Sequence, residues 1–79
     1  MMKRQQLQSA VDSFKQRQPF QPFVVELDEG ERLIVNDPKQ LPGFGGAYTY
    51  LRPDGNFVFV DPEDVARVVD VASANATSP

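Results

Sequence analysis

The chain has 79 residues, which is enough for one small domain, and we expect that domain to span residues 1–72 with a disordered polar tail at 73–79. It contains no cysteine and no histidine, which excludes disulfides, thiolate or histidine zinc sites, and Ser–His or Cys–His nucleophilic catalysis. The net charge is −3, with four cations and one acid in residues 1–17 and four cations and ten acids in residues 18–79.

The first predicted element is an amphipathic helix near residues 4–17. Its apolar stripe has the spacing i, i+3, i+4, i+7 and consists of Leu7, Ala10, Val11 and Phe14. Pro19 ends the helix, because the residue before a proline is pushed out of the helical region. The basic charge of this segment suggests a nucleic-acid contact. A solvated helix face is the simpler interpretation, since four cations fall short of a dense basic patch.

A joint rich in proline and phenylalanine follows at residues 18–23, which read Gln-Pro-Phe-Gln-Pro-Phe. Two prolines exclude a helix interior or a central strand, and two phenylalanines are too apolar for a plain linker. We expect Phe20 and Phe23 to be mostly buried between the helix and the sheet. The alternative interpretation is an exposed proline-rich ligand motif.

Four or five short strands are predicted after the joint, in a mostly antiparallel sheet. They cover residues 23–27, 32–35, 48–51, 57–60 and 67–72. Turns that contain glycine join the first strand to the second and the third to the fourth. We expect the strand at 57–60 to be central, because it is apolar on both faces. The valine-rich stretch at 65–72 also fits a helix, but one helical turn at 62–66 followed by an edge strand is preferred.

Two Asp-Pro pairs are typical of a helical N-cap followed by proline at the first helical position. The caps are Asp37 and Asp61, and each follows a hairpin, so the chain contains a weak internal repeat. Shared turn chemistry explains this repeat about as well as duplication does. Glu63 and Asp64 beside Asp61 also suggest a site for a hard cation, but capping is the simpler interpretation. An enzyme that joins the carboxylates of Asp37 and Asp61 is a weaker functional hypothesis.

The aromatic residues of the third and fourth predicted strands have two interpretations. Tyr48, Tyr50, Phe57 and Phe59 form a row that resembles a stacking platform for nucleic-acid bases. Core packing is favoured, because such platforms need a positively charged groove and this part of the chain is acidic. The predicted core consists of Leu7, Val11, Phe14, Phe23, Val25, Leu27, Leu33, Val35, Leu41, Tyr50, Phe57, Phe59, Val65 and Val68.

Four residues are candidate partner contacts. Phe44 lies in the glycine-rich loop at 41–46, either as a binding tip or folded back into the core. Tyr48 begins the next strand, and Lys3 and Arg4 belong to the basic start of the helix. Because capping is the favoured interpretation of the acids in and beside the two Asp-Pro pairs, no residue is assigned to catalysis, to a cofactor or to a metal ion, and no small-molecule substrate is evident.

The chain resembles a family of short, uncharacterised bacterial proteins with a helix, a "QPFxPF" joint, a strand ending in a turn glycine and a closing "DVxxV" segment. The matching residues are the joint at 18–23, Leu-Asp-Glu-Gly at 27–30, Asp-Gly at 54–55 and Asp-Val-Ala-Arg-Val at 64–68. The resemblance covers roughly residues 7–71 and implies the architecture alone.

The order helix, four strands, helical turn, short strand also resembles the Sm-like small barrels. That resemblance implies assembly through open strand edges, since edges pair whatever the chemistry of a site. Sm-like proteins carry an Arg-Gly pair in the late strands, whereas residues 66–69 read Ala-Arg-Val-Val. RNA binding in the Sm manner is therefore not implied.

We predict an α+β domain in which an N-terminal helix packs on a strongly bent, mostly antiparallel sheet of four or five strands, like an Sm-like small barrel. The favoured function is a non-catalytic protein-interaction or self-assembly module, expected to form homo-oligomers in the bacterial cytoplasm. RNA binding through the basic N-terminal helix is the alternative. A membrane span and a secretory signal are not expected, because no apolar run is long enough.

Overall fold

The computed structural model describes residues 2–44 and 47–71. In that part of the chain, one α-helix and six β-strands form an α+β fold, which confirms the predicted class. The elements are α1 (Arg4–Lys15), β1 (Phe23–Leu27), β2 (Arg32–Val35), β3 (Gly43–Phe44), β4 (Ala47–Leu51), β5 (Phe57–Val60) and β6 (Val65–Asp70). Short 3-10 turns at Pro38–Gln40 and Pro62–Asp64 follow β2 and β5.

The strands form two antiparallel sheets of three strands each, rather than one bent sheet. The first sheet has the order β2-β1-β6 and the second has the order β3-β4-β5. Strand β5 therefore lies at an edge, and the prediction of a central strand at 57–60 is wrong. Apolar residues on both faces led to that prediction, but one of these faces is exposed. Among the described residues the two sheets are not hydrogen-bonded into a closed barrel.

Helix α1 packs its apolar stripe against the first sheet. Leu7 and Val11 are fully buried, and the ring of Phe14 stacks on that of Phe23 with centroids 5.1 Å apart. The Gln6 side chain accepts a hydrogen bond from the backbone N–H of Lys3 at 3.1 Å, which satisfies one of the N–H groups at the start of the helix. The amphipathic periodicity therefore identified both the helix and its buried face.

The joint after the helix is partly buried. Phe23 is fully buried, and Phe20 is partly buried with its ring edge-on to that of Phe23. Pro19 and Pro22 are exposed, and the peptide bond between Gln18 and Pro19 is cis. The prediction that both rings are mostly buried is confirmed, with Phe23 fully enclosed and Phe20 packed against the border of the core.

The core lies between helix α1 and the inner faces of the two sheets. Its members are Leu7, Val11, Phe23, Val25, Leu27, Leu33, Val35, Leu41, Tyr48, Tyr50, Val60 and Val65, with Phe14, Phe20 and Val68 packed against it. Phe57 and Phe59 were predicted to belong to it and do not, because they are 59% and 77% exposed.

The register between β4 and β5 explains this error. Tyr48 pairs with Val60 and Tyr50 pairs with Val58, so the tyrosines and valines share the inner face. Phe57 and Phe59 lie on the opposite face, across from Leu51 and Thr49.

The two hairpins end in the same way, as the internal repeat predicted. Asp37 accepts a hydrogen bond from the backbone N–H of Lys39 at 2.8 Å, and Asp61 accepts one from Glu63 at 3.0 Å. Each carboxylate caps the 3-10 turn that a proline begins, so the capping interpretation of both Asp-Pro pairs is confirmed.

Candidate functional site

The start of the helix lies beside acidic residues of the second 3-10 turn. Lys3 and Arg4 line a groove of about 540 Å³ together with Asp61 and Glu63. Two cations and two carboxylates thus line the same groove.

Tyr48 lies inside the molecule. It is 3% exposed, its hydroxyl donates to Oδ1 of Asp12 at 3.5 Å, and the Lys15 ammonium lies 5.8 Å from its ring centroid. Tyr48 therefore connects β4 to helix α1, and its ring is not part of the exposed surface.

The backbone of Phe44 belongs to β3, where Phe44 pairs with Ala47 and Gly43 pairs with Tyr48. Gly43 has φ +135°, and a Cβ there would lie 2.2 Å from the carbonyl oxygen of Ala47, so this approach of β3 to β4 requires glycine. The predicted loop continues through residues 45 and 46, which lie outside the described residues.

Three of the four large exposed apolar side chains of the described residues lie on the outer face of the second sheet, and the fourth, Ile34, lies in β2 of the first sheet. Leu51, Phe57 and Phe59 are 40%, 59% and 77% exposed, and we call them the outer aromatic face. The rings of Phe57 and Phe59 contact each other edge-to-face, with centroids 5.9 Å apart. Sequence reasoning missed this face, because four consecutive apolar residues in β5 contain no alternation that separates inside from outside.

Strand β5 has one edge that is not hydrogen-bonded to another strand of the described residues. Arg52 donates its backbone N–H to the carbonyl of Asn56 at 2.7 Å, and Thr49 donates to Pro42 on the β3 side at 3.0 Å. Because antiparallel pairing alternates along a strand, Tyr48 and Tyr50 are the β4 residues that bond to β5. The backbone N–H and C=O groups of Phe57 and Phe59 consequently point away from β4, toward the free edge.

An acidic groove runs along that free edge. We define it by its lining, which is Leu27, Asp28, Glu29, Glu31, Val58, Phe59 and Asp64, and its volume is about 290 Å³. Four of these residues are carboxylates. The backbone N–H of Asp28 donates to the carbonyl of Asp64 at 2.8 Å, which fixes the β1–β2 turn to the 3-10 turn after β5. Arg52 reaches Glu31 at 2.7 Å.

A separate charged row crosses the first sheet. Glu26 of β1 accepts from Arg32 of β2 at 3.1 Å and from Arg67 of β6 through its other oxygen. These bonds, above all the one from Arg67, lower the pKa of Glu26 despite the opposing effect of burial. Because Glu26, Arg32 and Arg67 come from β1, β2 and β6, their hydrogen bonds link the three strands of the first sheet.

The described residues contain no cluster of three or more acidic side chains placed to hold a metal ion. Asp37 and Asp61, which the enzyme hypothesis joined, each accept a hydrogen bond within their own turn. Within residues 2–44 and 47–71, no helix has the length and apolar character needed to cross a membrane.

Comparison with protein-family models, with curated proteins and with solved structures gave no match for this chain. The two resemblances suggested by the sequence therefore stay predictions.

Proposed function

We propose that the protein is a non-catalytic interaction module that binds another protein chain through strand β5. The observation that carries the proposal is the exposure of Phe57 and Phe59, at 59% and 77%, on a strand whose outer edge is open. Contiguous exposed apolar side chains on a small domain are a common mark of a protein-binding surface. Aromatic side chains in particular concentrate at such surfaces.

The open edge supplies the second half of a binding surface. The backbone groups of Phe57 and Phe59 are placed to accept an additional strand, as in the many domains that recognise extended peptides by strand addition. Hydrogen bonds to the edge would provide affinity, and the two rings would provide selectivity for apolar side chains. A protein whose β5 had no partner would expose an edge that promotes aggregation.

The bacterial and cytoplasmic setting expected from the sequence belongs to the same proposal. Self-association is its competing version, in which the added strand comes from a second copy of the chain. A second copy of the chain is one kind of partner that an open strand edge accepts.

A site-specific photo-crosslinker tests the proposal in cells. A benzophenone side chain placed at Phe59 should form cross-links to protein, whereas the same group at Ser9, on the exposed face of helix α1, should form few. A cross-link between two copies would identify self-assembly, and a cross-link to a different protein would identify a separate partner. Equal labelling at both positions, or none at Phe59, would contradict the proposal.

A further inference from the structure

The surroundings of the β5 edge are acidic. An added strand would lie in the acidic groove, which Val58 and Phe59 of β5 line together with Glu29 and Asp64. Further carboxylates stand at the two ends of the hairpin strand, Asp54 before β5 and Asp61 after it. The whole segment from residue 18 onward carries ten acids against four cations, so the negative field is not confined to the groove.

We propose that the natural occupant of this edge is an extended segment of another protein with alternating cationic and apolar side chains, which adds to β5 as a fourth strand of the second sheet. This inference rests on the proposed function and specifies its partner. Alternation follows from strand geometry, because successive side chains of an added strand point to opposite faces. The apolar side chains of the added strand would cover the rings of Phe57 and Phe59, and its cationic side chains would point toward Glu29 and Asp64.

The same charges act against a second copy in this position. Pairing two β5 strands in antiparallel fashion around Val58 would place Phe57 of one copy opposite Phe59 of the other. It would also bring Asp61 of one copy next to Gly55 and Asp54 of the other, so that like charges meet at both ends. Like-charge contacts disfavour an interface, whereas lysine or arginine in the partner would turn the same carboxylates into an attraction.

Synthetic peptides provide the test on the full chain. The probe is a short, end-capped peptide of alternating lysine and valine, followed by NMR and by hydrogen exchange of the Phe57 and Phe59 amides. We expect binding that slows exchange at both amides and weakens as ionic strength rises. A peptide N-methylated on the amides that face β5 should not bind, because it has no donors for the edge.

Variants of the groove and of β5 separate the contribution of charge to peptide binding from that of strand addition. Glu29→Gln combined with Asp64→Asn should weaken binding roughly tenfold at low ionic strength and flatten its salt dependence. Glu63→Gln is the matched control, since Glu63 adjoins Asp64 in sequence but does not line the groove. Phe59→Pro should weaken binding more than Phe59→Thr, because proline removes the outward N–H as well as the ring and leaves the bonds to β4 intact.

The outcomes distinguish this inference from the proposed function. If peptides of alternating threonine and valine, or glutamate and valine, bind as tightly, the edge binds strands but the cationic partner is refuted. Protection of the Phe57 and Phe59 amides without peptide, together with dimers in light scattering, would make a second copy the occupant and also refute it. If no peptide affects these amides and the Phe59 cross-linker captures nothing, both proposals fail.

Discussion

At the scale of single residues, the structure gives chemically similar side chains different roles. Tyr50 is buried with its hydroxyl donating to the carbonyl of Ile34 at 2.7 Å, and burial raises its pKa. Phe57 and Phe59 have no polar group to bring toward such a partner, and they lie on the opposite face. A hydroxyl at the border of the core thus favours the tyrosines on the inner face, where both find hydrogen-bond acceptors.

Glu26 makes the stability of the protein dependent on pH. Its pKa is lowered from the usual 4.5, mainly by the hydrogen bond from Arg67, so the folded state favours the charged form. The stabilisation is complete above the unfolded-state pKa and is lost as the pH falls through the lower, folded-state pKa. We expect Glu26→Gln to remove this part of the pH dependence, measured as the free energy of unfolding in urea at several pH values.

Two arginine variants check the cause of that effect. Arg67→Gln should raise the pKa of Glu26 toward its ordinary value more than Arg32→Gln does, because the bond from Arg67 is the largest contribution. NMR titration of the Glu26 carboxyl carbon measures both. An equal response to the two substitutions would contradict this assignment.

At the scale of elements, the sequence alone predicted those elements that have a periodic apolar pattern or a capping residue. The spacing of Leu7, Val11 and Phe14 predicted α1, and the Asp-Pro pairs predicted both 3-10 turns. Neither the outer aromatic face nor the acidic groove was predictable, because each depends on how separate segments are placed. The inner face of β5 is set by its register with β4, and the groove forms only where the β1–β2 turn approaches β5.

The cap of the second 3-10 turn tests directly whether the Asp61 carboxylate stabilises this turn. Asp61→Ala removes the acceptor for the Glu63 N–H and should cost about 1 kcal/mol in the free energy of unfolding. Asp61→Asn keeps an acceptor oxygen and should stay close to the unsubstituted protein. Urea denaturation of both variants measures the difference, and equal losses would mean that the charge, rather than the hydrogen bond, stabilises this turn.

At the scale of the whole molecule, one small core joins the helix to both sheets. For a domain of 79 residues, the free energy of unfolding is on the order of 4–12 kcal/mol. One deeply buried ring is therefore a large fraction of the total. Phe23 occupies the centre of this arrangement, since it pairs with Val35 and Asp70 in the first sheet and contacts the rings of Phe14 and Phe20.

Substitutions of the two rings in the joint at residues 18–23 should accordingly destabilise the protein in proportion to how deeply each ring is buried. Phe23→Ala should cost about 3–5 kcal/mol, because it empties a fully enclosed site. Phe20→Ala should cost clearly less, since solvent already reaches part of that ring. Urea denaturation followed by circular dichroism compares the two, with Phe57→Ala as a control for loss of an exposed ring. A larger loss for Phe20 than for Phe23 would mean that the contact between the helix and the joint, rather than the sheet core, limits the stability of the fold.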